Sequence, residues 1–134
     1  ADGAPDDRAG QETYYSPWRD DPRPLGGLMQ GAFAFLAVAD FWRALRIEPN
    51  VDEAAEHEFA RLREEVLVAL ETLDGSSRLT PEGWRILASM RESLERLMAE
   101  RVPRSVLARA RDLVREKRAA WDARQAQAHR SQDR

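Results

Sequence analysis

The chain has 134 residues, 43% hydrophobic and 34% charged, with a formal net charge of −3 and no cysteine. One domain with one modest core fits that length, and the apolar content excludes a wholly disordered chain. Disulfides, thiol catalysis and cysteine-based metal sites are excluded, which leaves the redox compartment open.

Ala, Arg, Glu and Leu recur while β-branched residues are few, so the expected class is all-α. Charge is polarised along the chain. From Arg101 onward ten Lys or Arg stand against four Asp or Glu, whereas the first hundred residues carry 11 basic and 20 acidic groups. That asymmetry predicts either a basic last helix lying beside an acidic one or an acidic partner for the basic end. The chain opens with Ala1 rather than Met; the cytoplasm is the expected compartment, or the periplasm or exterior if Ala1 follows a cleaved signal peptide.

Residues 1–26 have no helical or alternating period and hold four of the seven prolines, so they are expected to form an extended or disordered arm. Within it Tyr14, Tyr15 and Trp18 cluster among Pro17, Pro22 and Pro24. Flat amphipathic rings on an extended backbone suit either the apolar surface of the same chain or a second protein.

A first helix is predicted over 27–46, because between Leu28 and Leu45 only Gln30, Asp40 and Arg43 interrupt an apolar series. Such a helix is apolar on most of its circumference and must be covered by something. Its 18 residues fall short of the roughly 20 apolar residues that a spanning helix needs, so it reads as a core helix. If Phe35 and Trp42 lie in that core, their truncation to alanine is expected to cost several kcal/mol, whereas near-wild-type melting would mean that they face solvent or a partner. Gly31 inside it points to a close helix crossing.

The second helix is placed at 50–73, with Asn50 and Glu53 as a capping box and Gly75 as a left-handed terminator. Ala55, Phe59, Leu62, Val66, Ala69 and Leu73 alternate spacings of four and three, the signature of a buried seam. The third, at 80–100, opens on a Thr80 cap followed by Pro81, and Trp84, Leu87, Met90, Leu94 and Leu97 form its stripe. The short link between these two makes them antiparallel. A fourth, at 103–124, has a thinner stripe of Val106 or Leu107, Ala110, Leu113, Val114 and Trp121, and Lys117 falls where a seam residue belongs. Residues 125–134 are polar and expected to be disordered. The fold class is therefore an up-and-down bundle of about four helices over 27–124.

Candidate chemistry is sparse. In His57-Glu58-Phe59-Ala60-Arg61 an arginine stands where a zinc-protease helix carries its second histidine. Glu53, Glu56, His57, Glu64 and Glu71 lack the Glu-x-x-His spacing of carboxylate-bridged metal bundles and read as a solvated face. Ser76 and Ser77 lie in a turn with no base, and no phosphate-binding glycine loop exists. No metal or other cofactor is expected. Asp40 and Arg43 need partners in an apolar helix and are spaced to pair with each other or across an interface. Arg104, Arg109, Arg111, Arg115 and Arg118 form a candidate basic surface, interleaved with Asp112, Glu116 and Asp122.

Leu79-Thr80-Pro81-Glu82 followed by an Arg- and Glu-rich helix resembles the LTxxQ segment of Spy-like periplasmic helical chaperones, with Gly83 in place of the glutamine. An apolar helix, a second ending in Glu71-Thr72-Leu73, and then Leu79-Thr80-Pro81-Glu82 is similar to the helical region of nitrile hydratase β-type subunits and their activators. These resemblances imply a chaperone or an accessory subunit and carry no catalytic residue. The expected function is a non-catalytic helical protein that binds another protein or itself. The expected contact residues are Tyr14, Tyr15, Trp18, Met29, Phe33 and Phe41. Nucleic-acid or anionic-surface binding through the fourth helix is the alternative, and a ligand pocket between bundle helices a third.

Overall fold

Helix formation follows the apolar spacings closely, and the computed structural model, which describes residues 12–132, is an all-α four-helix bundle. Its helices are α1 (Leu25–Leu45), α2 (Ala54–Asp74), α3 (Pro81–Met98) and α4 (Arg104–Gln132). Residues 1–11 of the expected arm and 133–134 of the expected tail lie outside the described residues. The α2 seam is buried at all six positions, Ala55, Phe59, Leu62, Val66, Ala69 and Leu73. Leu73 meets Leu87 at one end of α3 while Arg63 reaches the carbonyls of Leu97 and Glu100 at the other, so α2 and α3 are antiparallel. At the start of α3 the Thr80 hydroxyl accepts from the Gly83 N–H at 3.0 Å, with Pro81 in the first turn.

α2 is the centre of the molecule: it touches each other helix, whereas α4 touches α2 alone. That arrangement explains why α2 buries charge. Arg63, Glu64 and Glu65 are all below one-tenth exposed, so Glu64 does not belong to a solvated face as its spacing suggests. Helical periodicity assigns one buried face, and a helix packed on three sides has more than one.

Several boundaries differ from expectation. Asn50 does not cap α2: it sits at φ 68°, a left-handed conformation that asparagine tolerates, and the Asp52 carboxylate accepts from the Ala54 N–H instead. Gly75 is right-handed at φ −77°, its N–H bonded to the Glu71 carbonyl, so α2 ends in a tightened last turn without a left-handed glycine. Trp84 is 41% exposed, and Gly83 takes the buried place one residue earlier. Residues 125–132, expected to be disordered, continue α4 as an exposed helical extension, consistent with the helix propensity of their Ala, Gln and Arg.

The described part of the arm is a strap folded on its own bundle. Tyr14 and Arg23 exchange two backbone hydrogen bonds, closing a turn whose first half, Tyr15 to Trp18, is buried or half-buried while Arg19, Asp20 and Asp21 at its tip are exposed. Tyr15 is 3% exposed and lies edge-on to Trp121 of α4 at 5.2 Å between ring centroids. Trp18 stacks on Phe35 at 4.6 Å and rests on Gly31, where an added Cβ would meet its ring at 3.2 Å. Gly31 therefore makes room for the strap, and no helix crosses there.

Glu65 fastens the strap. Its carboxylate accepts from Trp18 Nε1 at 3.1 Å, from Arg61 at 3.0 Å and from Lys117 Nζ at 2.8 Å, and Lys117 also donates to the Pro17 carbonyl at 2.8 Å. The lysine that interrupts the α4 seam is thus the cation facing a buried acid. Together with Arg111, 3.6 Å from Glu64, it lays the basic helix along the acidic one.

Six residues before Glu65 on α2, Phe59 is fully buried with two guanidinium groups over its ring, Arg46 at 4.5 Å and Arg63 at 5.1 Å from its centre. Arg46 donates to Glu56, Glu100 and the Arg101 carbonyl, and Arg63 to the Leu97 and Glu100 carbonyls. These two side chains satisfy carbonyls that the end of α3 leaves without intrahelical donors.

Candidate partner-docking face

α1 packs inward through Leu25, Leu28, Ala32 and Ala39, all buried, with Leu36 beside them, because these small or aliphatic positions fall on the side facing α2 and α3. Its other side carries Phe33 at 67% exposure, Val38 at 37% and Phe41 at 57%. Ala34, Ala37 and Ala44 share that exposed side. By length and composition it is the one described helix apolar enough to cross a membrane. The described residues cover one side of this apolar helix and leave the side of Phe33 and Phe41 exposed.

Beside the open face, α1 and α3 enclose a surface groove of about 570 Å³. Phe33, Leu36, Ala37 and Leu97 line it with apolar surface, and Asp40, Arg43, Arg96 and Glu100 supply charges of both signs. Asp40 and Arg43 pair with each other at 2.7 Å, the local pairing their spacing allows. Arg96 donates to the Ser93 hydroxyl at 3.1 Å and has no carboxylate in ion-pair range among the described residues. The groove presents grease flanked by balanced charge, a surface suited to recognition of another apolar face.

Of the six expected contact residues, only Phe33 and Phe41 stand open. Tyr14 is half-buried and bonded to Glu12, Tyr15 and Trp18 belong to the strap, and Met29 packs on the main core cluster. Their aromatic character was legible, but an interface inside the chain and one between chains share the same composition. Phe35 and Trp42 are half-buried at the edge of the core, Phe35 beneath Trp18 and Trp42 edge-on to Phe41. Sequence reasoning missed Arg46, Arg63 and Glu65, whose signal was only that charges fall beside an apolar seam.

The expected basic surface is largely engaged. Arg111 faces Glu64, Arg115 pairs with Asp112, and Arg118 bonds Asp122 at 3.3 Å while its guanidinium lies 4.7 Å from the Tyr15 ring centre. Arg104 and Arg109 are exposed without an ion-pair partner among the described residues. Among those residues no three His, Asp or Glu side chains converge as metal ligands would.

Burial pushes the Tyr15 phenol above its ordinary range, with Arg118 pulling it partly back. A raised value in the folded chain means stability that is complete below the unfolded pKa and lost as pH rises through the folded one. The chain has two tyrosines, so in a Tyr14→Phe variant the phenolate absorbance reports Tyr15 alone. Its midpoint is expected above the free-tyrosine value of about 10. The melting temperature is expected to fall over the same alkaline window. A midpoint at or below that value would place Tyr15 in water.

No protein-family model matches the chain, and neither does a curated protein or a solved structure.

Proposed function

We propose that this chain is a non-catalytic helical protein that works by binding another protein, as an accessory subunit, adaptor or assembly factor, with the outer face of α1 as its docking surface. The observation that supports this reading is the exposure of Phe33 and Phe41 on a helix whose opposite side is core. Two phenyl rings eight residues apart, about 12 Å along the axis on adjoining parts of one exposed side, are anchors of the kind that dominate binding energy at interfaces. Removing each ring from water contributes up to about 1.5–3 kcal/mol, so the two offset only part of the association cost of about 4–15 kcal/mol and the rest of the face must add to them. Nucleic-acid or anionic-surface binding through α4 has less support, because three of the five expected basic-surface arginines, and Lys117 and Arg124 beside them, already meet carboxylates of the same chain.

The test is capture from the native source by the wild-type chain and by a Phe33→Ser/Phe41→Ser double variant. A protein retained by the first and lost by the second is expected. Identical recovery with both would overturn the reading.

A further inference from the structure

Resting on the reading that the α1 face binds protein, we propose that its occupant is a second copy of this chain, packed antiparallel along α1 about a two-fold axis near Ala37. The open row has a bulky ring at Phe33, small side chains at Ala34, Ala37 and Val38, and a second bulky ring at Phe41. The rings lie four residues to either side of Ala37, so the row is close to symmetric about that residue. A two-fold rotation sets Phe33 of each copy against Phe41 of the other and lets the backbones approach over the small centre. Parallel alignment would instead put Asp40 opposite Asp40 and Arg43 opposite Arg43, and like charges across an interface are costly.

Charge argues for the same occupant. Asp40, Glu100, Arg43 and Arg96 beside the face sum to zero. A strongly acidic or basic partner would meet like charges there, whereas a second copy brings the same balanced set. A lipid surface fits less well. Helices that lie on membranes carry cationic flanks, and α1 has none in excess. To span a bilayer, α1 would have to withdraw Leu28, Ala32 and Ala39 from the core. At about 1.5 Å per residue α1 is roughly 30 Å long, and with a helix width of about 10 Å it offers a small contact strip. Interfaces that bury less than about 1,200 Å² form reversibly, so the pairing should depend on concentration.

The test uses the full chain. Sedimentation of the wild type over a concentration series is expected to show the mass rising from monomer toward dimer. A Phe33→Glu/Phe41→Glu variant with unchanged melting is expected to stay monomeric. Because the chain has no cysteine, Ala37→Cys introduces a single thiol near the axis. With oxidised glutathione, two such thiols join as one disulfide while the oxidant takes both electrons and both protons to become two molecules of reduced glutathione. Ala37→Cys is expected to cross-link as a dimer much faster than Arg109→Cys on α4, even if the double variant does not fold. A wild type that is monomeric throughout, with cross-linking no faster at 37 than at 109, overturns the pairing. If captured protein is still lost in the serine double variant, only the identity of the occupant falls; if capture is unchanged, the docking reading falls with it.

Discussion

Replacing Phe59 with alanine is expected to lower the unfolding free energy by about 4 kcal/mol, read from urea or thermal unfolding monitored by circular dichroism. The ring is fully buried, and its loss opens a cavity between α1, α2 and α3 where no neighbour can collapse freely. It also removes the aromatic face on which the Arg46 and Arg63 guanidinium groups lie. Those cations are held by carbonyls at the end of α3, so the damage should spread to the α3–α4 connection. Phe59→Leu keeps most of the volume and should cost about half as much. A loss below about 1 kcal/mol for the alanine variant would mean that Phe59 is not the packing centre of that end. For a domain whose whole stability is of order 5–15 kcal/mol, the expected loss is a large share.

Glu65→Ala is expected to cost about 3 kcal/mol and to free the strap. The carboxylate is 1% exposed and is the acceptor shared by the strap, α2 and α4. Without it Arg61 keeps Glu58 at 2.6 Å and Lys117, 43% exposed, can turn toward water. The Trp18 indole N–H loses its acceptor, and a donor left unpaired in a desolvated place carries a penalty of about 1–3 kcal/mol. Limited proteolysis should therefore cut between Tyr14 and Pro24 sooner in the variant. Glu65→Gln retains an acceptor for Trp18 and should lose less. Equal stability and equal cleavage in all three chains would show that Glu65 does not fasten the strap, which would then be held by its other contacts, the Trp18 stack on Phe35 and Tyr15 against Trp121. A double-mutant cycle with Lys117→Met separates the ion pair from the indole bond.

Phe59 and Glu65, six residues apart on α2, differ in how far the sequence announced them. Phe59 is one of six seam positions with alternating spacings, and every one is buried. Glu65 lies next to that seam in the chain, and nothing local distinguishes it from the half-buried Glu58 or the exposed Glu71. The single hint was on another helix: Lys117 occupies a place where α4 should be apolar, and it turns out to face this acid. A buried ion pair is legible only when both partners are known to meet, which is a property of packing.

The chain's own residues determined the helices, because apolar spacing, the Thr80-Pro81 start and the prolines at 49 and 103 act within a few residues of one another. They also determined that α1 carries more apolar surface than one side of a core consumes. Only the tertiary structure decided which part of that surface stays open. The strap covers Gly31 and Phe35, α2 and α3 cover Leu28, Ala32 and Ala39, and Phe33 and Phe41 remain in water. The physical reason is that hydrophobic attraction has no direction: composition states how much surface must be hidden, and the geometry of the neighbours settles what hides it.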